Sequence, residues 1–268
     1  MNNPLNFPVL VFVVSFIALW LSTLIGIGLH KQLGKLDDVT REDFSVVRGA
    51  TLTLLGLIVG FSFSLAVSRY DQRKNYEEEE ANAIGTEYLR ADLLPVDYTN
   101  KAKDLLVKYL YQRISFYQTR DLDQLHQINS NTAQLQDELW AAVRVPATAQ
   151  PTPVIALPVA GMNDVLNSQG YTQAAWWNRI PIAAWGLMGA IAIWSNLLLG
   201  YGARSDKTHR LLPFVMPFIV SLSFFLIADI DSPRGGVIRV RPDNLVDLSH
   251  SLHPRAHSFV ETKQNQTP

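Results

Sequence analysis

The chain has 268 residues, of which 48% are hydrophobic, and its formal net charge is −1. A nearly neutral chain without basic tracts has no field that attracts nucleic acid or acidic substrates, so no nucleic-acid partner is expected. There is no cysteine. This excludes disulfides, thiolate metal sites and cysteine nucleophiles.

Four stretches of the sequence lack charged side chains. Each reaches or approaches the ~20 residues that a helix needs to cross the hydrocarbon core of a bilayer. Four such stretches, each bounded by charged residues, are too much apolar surface for the core of a soluble chain of this size. We therefore predict a polytopic membrane protein in contact with the lipid bilayer. The predicted spans are about 8–29, 49–68, 180–201 and 211–228.

The polar region between the second and third spans is predicted to be helical. Its apolar residues recur at steps of three to four, as at Leu106, Tyr109 and Leu110. A cluster of prolines near residues 146–158 indicates a loop, and a further helix is expected over about 160–178. Strand signals are weak throughout, so the predicted fold class is all-α.

These patterns predict four regions along the chain. They are a first transmembrane hairpin (1–69), a helical cytoplasmic domain continuous with the second span (70–179), a second hairpin (180–230) and a cytoplasmic tail with a disordered end (231–268). Four spans place both termini and the helical domain on one side of the membrane. Lys and Arg near the span ends are evenly divided, so charge does not choose that side. We expect the cytoplasm, because a domain of this size without a signal sequence is not readily translocated.

The second span has two neighbouring faces of different character. Small residues at intervals of four form the first face: Gly56, Gly60, Ser64 and Ser68. Such residues let helices approach closely in lipid. The second face contains Thr53, Leu57 and Phe61. If identical copies packed through the small face round a symmetry axis, rings of Leu57 and Phe61 would form an apolar constriction that gates by dewetting. The alternatives are ordinary helix packing for the small face and contact with lipid or with the same chain for the bulky face.

Three segments resemble a known family. The run "IVGFSFSLAVSRYDQR" is similar to the second transmembrane helix of the bestrophin channels. This run in its longer form, "FSVVRGATLTLLGLIVGFSFSLAVSRYDQR", together with "EEEEANAIGTEYLRADLLP" and "LIADIDSPRGGVIRV", is similar to signature segments of the bacterial bestrophin-like family of four-span proteins. The resemblance implies a multi-pass protein of the bacterial inner membrane, a homo-oligomer that is pentameric in the channels, and small inorganic ions as partners.

The resemblance also assigns residues. The pore-neck positions of the channels fall on Thr53, Leu57 and Phe61, although Thr53 departs from the usual apolar residue there. The membrane-exit and family-signature residues are Arg69, Tyr70, Asp71, Arg73, Asn82, Glu87 and Arg90. For the last three of these we expect buried hydrogen bonds. The intervening run of Glu77 to Glu80 is expected to be a solvated helix surface, because consecutive helical residues point about 100° apart.

Two carboxylates follow the fourth span directly. Asp229 and Asp231 are candidate cation contacts, or alternatively they cap a turn. The run of acids that binds calcium in the animal channels is absent, and only Asp243 and Asp247 follow in this region. No metal site and no cofactor are predicted.

No catalytic constellation is found in the sequence, which lacks a Ser-His-Asp order, a phosphate-binding loop and an HExxH run. The protein is therefore not expected to be an enzyme. The leading hypothesis is an oligomeric ion channel with an apolar neck on the second span. The alternative is a non-conducting membrane scaffold whose cytoplasmic helical domain binds a protein partner.

Overall fold

A computed structural model describes residues 4–33, 37–202 and 212–252. These residues are helical and contain no strand, which confirms the all-α fold class. The helices are α1 (Pro8–Leu33), α2 (Asp38–Arg90), α3 (Val96–Gln118), α4 (Leu122–Ala149), α5 (Pro153–Trp177), α6 (Ile182–Tyr201) and α7 (Leu212–Asp231). Residues 243–252 are helical as well.

Four helical stretches are long and apolar enough to cross a membrane. They lie within Pro8–Gln32, Val39–Leu93, Pro153–Tyr201 and Pro213–Asp231. The prediction of four transmembrane helices is confirmed. In the second stretch we take residues 49–68 as the membrane-spanning part, because charged side chains begin on both sides of it.

The chain divides into two compact units. The first unit contains Met1–Tyr70 and Asn178–Arg239, and the second contains Asp71–Trp177 and Val240–Pro268. Part of the region that the sequence assigned to a tail thus belongs to the second unit, where Leu245 and Leu252 are buried. The predicted disorder of the chain's end falls on residues 253–268, which lie outside the described residues.

The core of the first unit combines α1, α6 and α7 with the apolar part of α2. Its buried residues are Leu19, Leu55, Ala66, Ile180, Met188, Ala192, Val220, Phe224, Ile227 and Ile230. In lipid no hydrophobic force drives helices together, so close packing and hydrogen bonds must do so. The hydroxyl of Ser22 accordingly donates a hydrogen bond across to the carbonyl oxygen of Ile193 at 2.7 Å.

Helices α1 and α6 meet backbone to backbone. A Cβ on Gly26 would overlap the carbonyl oxygen of Leu197, and a Cβ on Gly200 would overlap the carbonyl oxygen of Thr23. Only glycine fits at these two positions while the helices keep their separation.

The second unit is built from α3, α4, α5 and the polar part of α2. Short loops at 119–121 and 150–152 join the helices, and each of α3 and α4 packs against the next helix. The apolar periodicity read from the sequence forms the core here, since Leu106, Tyr109 and Leu110 are fully buried.

The loop that the proline cluster predicts is present but is limited to residues 150–152, so most of the cluster lies in helices. Pro146 lies inside α4, α5 begins at Pro153 instead of near residue 160, and Pro158 lies inside α5. Proline suits the first position of a helix, because its missing N–H would have no partner there. Pro146 and Pro158 are buried. Their packing therefore outweighs the backbone hydrogen bond that each one removes.

We predict that Gly26→Ala destabilises the protein while Gly28→Ala does not. The new methyl group on residue 26 must push α1 and α6 apart, which costs about 1–3 kcal/mol. No atom lies within 4 Å of a Cβ on Gly28, and alanine favours helix at this site by about 1 kcal/mol. Thermal unfolding in detergent measures both variants. Equal unfolding midpoints would contradict the backbone contact.

Candidate functional site

Helix α2 is a single element of 53 residues, from Asp38 to Arg90. No proline interrupts it. At 1.5 Å per residue it is about 80 Å long, more than twice the thickness of a hydrocarbon core. The same helix therefore holds both the predicted neck and the polar signature residues.

The apolar part of α2 is packed on one side only. Leu55, Ser62 and Ala66 are buried at 3%, 6% and 0% exposure, and two of them belong to the core of the first unit. The small residues Gly56, Gly60, Ser64 and Ser68 are all exposed. Among the described residues, none lies within 4 Å of a Cβ on Gly56 or Gly60. Within the described part of the chain, the small face is thus uncovered.

The predicted neck residues are exposed as well. Leu57 is 52% exposed and Phe61 is 62% exposed. Thr53 is also exposed, and its hydroxyl donates to the carbonyl oxygen of Gly49 at 3.0 Å. The hydroxyl proton is therefore used within the helix, while the oxygen keeps lone pairs that can accept from water.

Asp231 joins several elements where the fourth span ends. Its carboxylate is 1% exposed and accepts the backbone N–H of Ile180 at 3.2 Å and Nε of Arg179 at 3.3 Å. Arg69, the first charged residue after the second span, lies 3.7 Å away. Arg179 in turn donates to the side chain of Asn6. These contacts connect four parts of the first unit: α2 at Arg69, the end of α7, the residues just before α6 and the residues before α1.

Asp229 shapes the turn that follows. Its carboxylate accepts the backbone N–H groups of Val237 and Ile238, each at 2.8 Å. A Cβ on Gly236 would overlap the carbonyl oxygen of Asp229, so the turn requires glycine there. Both candidate cation ligands therefore bind groups of the protein. In the part of the chain that the structure describes, no group of three or more His, Asp or Glu residues is arranged to hold a metal ion.

The remaining membrane-exit residues separate into different environments. Tyr70 packs, partly buried, against the core of the first unit. Asp71 is exposed, whereas Arg73 is only 2% exposed. A side chain as long and as polar as Arg73 is rarely buried without partners.

The glutamate run is not the uniformly solvated surface that the sequence suggested. Glu78 and Glu79 are exposed as expected, but Glu77 is 1% exposed and Glu80 is 0% exposed. Together with Ile84, the two buried glutamates repeat at steps of three and four and face the interior of the second unit. This spacing is visible in the sequence, but the sequence does not show what packs against that side of the helix.

Glu80 forms a fully buried ion pair with Arg113, a residue that sequence reasoning missed. The carboxylate also accepts hydrogen bonds from Tyr117 at 3.2 Å and from Thr172 at 3.3 Å. The guanidinium lies 4.4 Å from the ring centroid of Phe116. Helices α2, α3 and α5 therefore meet at one carboxylate. The sequence signal for this residue is its spacing: Arg113 lies on the same side of α3 as the buried apolar residues.

Glu77 holds the N-terminus of the helical segment 243–252. Its carboxylate accepts the backbone N–H of Leu245 at 2.9 Å and the side-chain amide of Asn244 at 2.6 Å. An acidic group at this end satisfies free N–H groups and complements the helix dipole. Burial raises the pKa of Glu77, and these hydrogen bonds oppose the shift.

The three residues expected to form buried hydrogen bonds differ from one another. Asn82 is exposed and Arg90 is partly buried. Glu87 is fully buried, yet neither of its oxygens has a hydrogen-bond partner among the described residues. The expectation is therefore wrong for Asn82, and for Glu87 it holds for burial alone.

The sequence profile of the bestrophin-like domain matches residues 9–245. The chain belongs to the bestrophin-like family. No curated protein matches it.

Solved structures of a bacterial bestrophin homologue from Klebsiella pneumoniae have the same fold as this bestrophin-like protein. One crystal structure is 19% identical with a TM-score of 0.60, covering 89% of this chain and 98% of that chain. A single-site variant of the homologue is 17% identical with a TM-score of 0.62, covering 89% of this chain and 97% of that chain. At this level of identity the likeness concerns the fold.

We predict that Glu80→Gln destabilises the protein strongly and that Glu79→Gln has little effect. The first change leaves the buried Arg113 charge uncompensated, which costs about 3–5 kcal/mol. The second removes a charge from the exposed side of the same helix. Denaturant unfolding followed by tryptophan fluorescence measures both. Similar losses in the two variants would show that the Glu80–Arg113 pair is not a main support of the second unit.

Proposed function

We propose that this bestrophin-like protein is a homo-oligomeric channel for small inorganic ions, with a neck formed by Thr53, Leu57 and Phe61. The observation that supports the proposal is the one-sided packing of α2. Its Leu55 side is buried in the core of its own chain, while the small and the bulky faces are uncovered.

Exposure by itself would suit residues that face lipid. Gly56 and Gly60, however, offer lipid little surface and would fit a second protein helix much better. A neighbouring copy on that face turns the bulky face toward a shared axis. Leu57 and Phe61 from each copy then surround a narrow apolar opening, which conducts when it is wet and closes when it dries.

The number of subunits in the proposal is five, by resemblance to the bestrophin channels. The proposed location is the bacterial inner membrane, with the second unit and both termini in the cytoplasm. Conduction is proposed by resemblance to the bestrophin channels, and the proposal includes no enzymatic step. In the proposal the carboxylate of Asp231 supports α2 at Arg69 and that of Asp229 supports the turn after α7, and neither is an ion ligand.

A second candidate is a non-conducting scaffold that binds a protein partner through the second unit. It is favoured by a largely apolar depression of about 740 Å³ between α4 and α5, lined by Trp140, Pro151, Ile155 and Val159 among others. Native mass spectrometry separates the candidates. A protein that is strictly monomeric in lipid has no shared axis, and only the scaffold would then remain.

We predict that replacing Leu57 and Phe61 together by Ala raises sodium or chloride flux in proteoliposomes. Widening the apolar constriction by two rings lowers the dewetting barrier. A tenfold increase corresponds to about 1.4 kcal/mol, and we expect an effect of roughly this size.

The matched control is Leu187→Ala on α6. Leu187 is 54% exposed, similar to Leu57, but it lies on a helix outside the proposed neck. Its flux should equal that of the unmodified protein. Negligible flux in both the unmodified protein and the double variant would remove the channel proposal. Equal increases in the control and the double variant would remove the assigned neck.

A further inference from the structure

Glu87 differs from the other buried acids of α2 because its carboxyl group has no hydrogen-bond partner in the part of the chain that the structure describes. Its side chain is 0% exposed, and neither carboxylate oxygen has a hydrogen-bond partner within the described residues. By comparison, Glu80 accepts from Arg113, Tyr117 and Thr172. An ionised carboxylate in such a place loses its water shell and gains no replacement, so taking up a proton is the less costly state.

Helix α5 closes over this carboxyl group with a glycine. A Cβ on Gly161 would overlap Oε2 of Glu87 and would lie 2.6 Å from Nη1 of Arg90. Gly161 has no side chain that could donate a hydrogen bond to the carboxyl group. The close approach also leaves no room for water between Glu87 and the backbone of α5.

We propose that Glu87 is a proton-binding site, occupied at neutral pH, that makes the packing of α2 against α5 dependent on pH. The proton is bound whether or not the protein conducts ions.

The charges around Glu87 act in opposite directions, and burial is the largest influence. Burial raises the pKa of Glu87 to about 8, Arg90 on the same helix lowers it, and Asp164 on α5 raises it. The guanidinium of Arg90 stands beside the carboxyl group without a hydrogen bond to it. It therefore reduces the effect of burial but does not cancel it.

The sign of the pH dependence follows from the raised pKa. The folded protein binds this proton more tightly than the unfolded chain, in which a glutamate has its ordinary pKa of 4.5. The stabilisation is therefore complete below about pH 4.5 and is lost as the pH rises through about 8. Above that pH the ionised carboxylate loosens the contact between α2 and Gly161.

The test is the thermal unfolding midpoint of the full chain in lipid nanodiscs, measured from pH 5.5 to 9.5, for the unmodified protein and Glu87→Gln. Glutamine has nearly the same shape as the protonated acid and does not titrate in this range. We expect the midpoint of the unmodified protein to fall relative to the variant as the pH rises from 5.5, and the fall to level off near pH 8, where the folded protein also loses the proton. Glu79→Gln is the matched control and should retain the full fall. Because Glu77 also titrates with a raised pKa, the decisive quantity is the difference between the two proteins.

Two further variants keep the test decisive even if Glu87→Gln does not fold. Arg90→Gln should move the pH at which the fall levels off upward by about one unit, and Asp164→Asn should move it downward, because nearby charges shift a carboxyl pKa in these directions. Parallel curves for the unmodified protein and Glu87→Gln would overturn the proposal, since Glu87 would then be ionised and paired with Arg90. If neither charge variant changes the pH at which the fall levels off, the proposal is overturned as well.

Discussion

The constraint that governs this protein is that one uninterrupted helix has to satisfy two different surroundings. From residue 49 to residue 68, α2 lies in a region without charges, and its inward side chains are those that lipid-embedded helices use to pack. From Arg73 onward, the buried side of the helix carries charged side chains instead. An unbroken helix keeps its hydrogen bonds internally through both surroundings, which a broken one could do in lipid only with help from neighbours.

Three buried acids on or beside this helix are each matched to a different partner. Glu77 accepts hydrogen bonds from the first residues of a helix. Glu80 pairs with a guanidinium and accepts from two hydroxyls, and Asp231 accepts from a backbone N–H and lies beside two arginines. Such matching is what allows ionised groups to be buried, since removal from water must be compensated by good geometry. Glu87 has no such partner among the described residues, and for that reason we propose that it carries a proton rather than a charge.

The proposed neck depends on the difference between the buried and the exposed sides of α2. The side that the core holds fixes the rotation of the helix, and thereby decides which side chains remain uncovered. Because Leu55 and Ala66 are locked into the first unit, Thr53, Leu57 and Phe61 cannot turn inward. A rigidly oriented set of apolar side chains is what a constriction requires, because an opening that closes by dewetting is sensitive to small changes in radius.

The sequence by itself determined the fold class and the four spans, because hydrocarbon thickness and the need for internal hydrogen bonds allow few alternatives for long uncharged stretches. It also placed the two faces of the second span, since helical period alone decides which residues share a side. It did not determine the partners of the charged residues. Glu77 and Glu80 were expected in water, Arg113 was overlooked, and Pro146 was placed in a loop, because each outcome depends on contacts between residues far apart in the chain. Only the tertiary structure decided these points, since the free energy of a buried charge or a helical proline is set by whatever packs against it, and no local pattern records that.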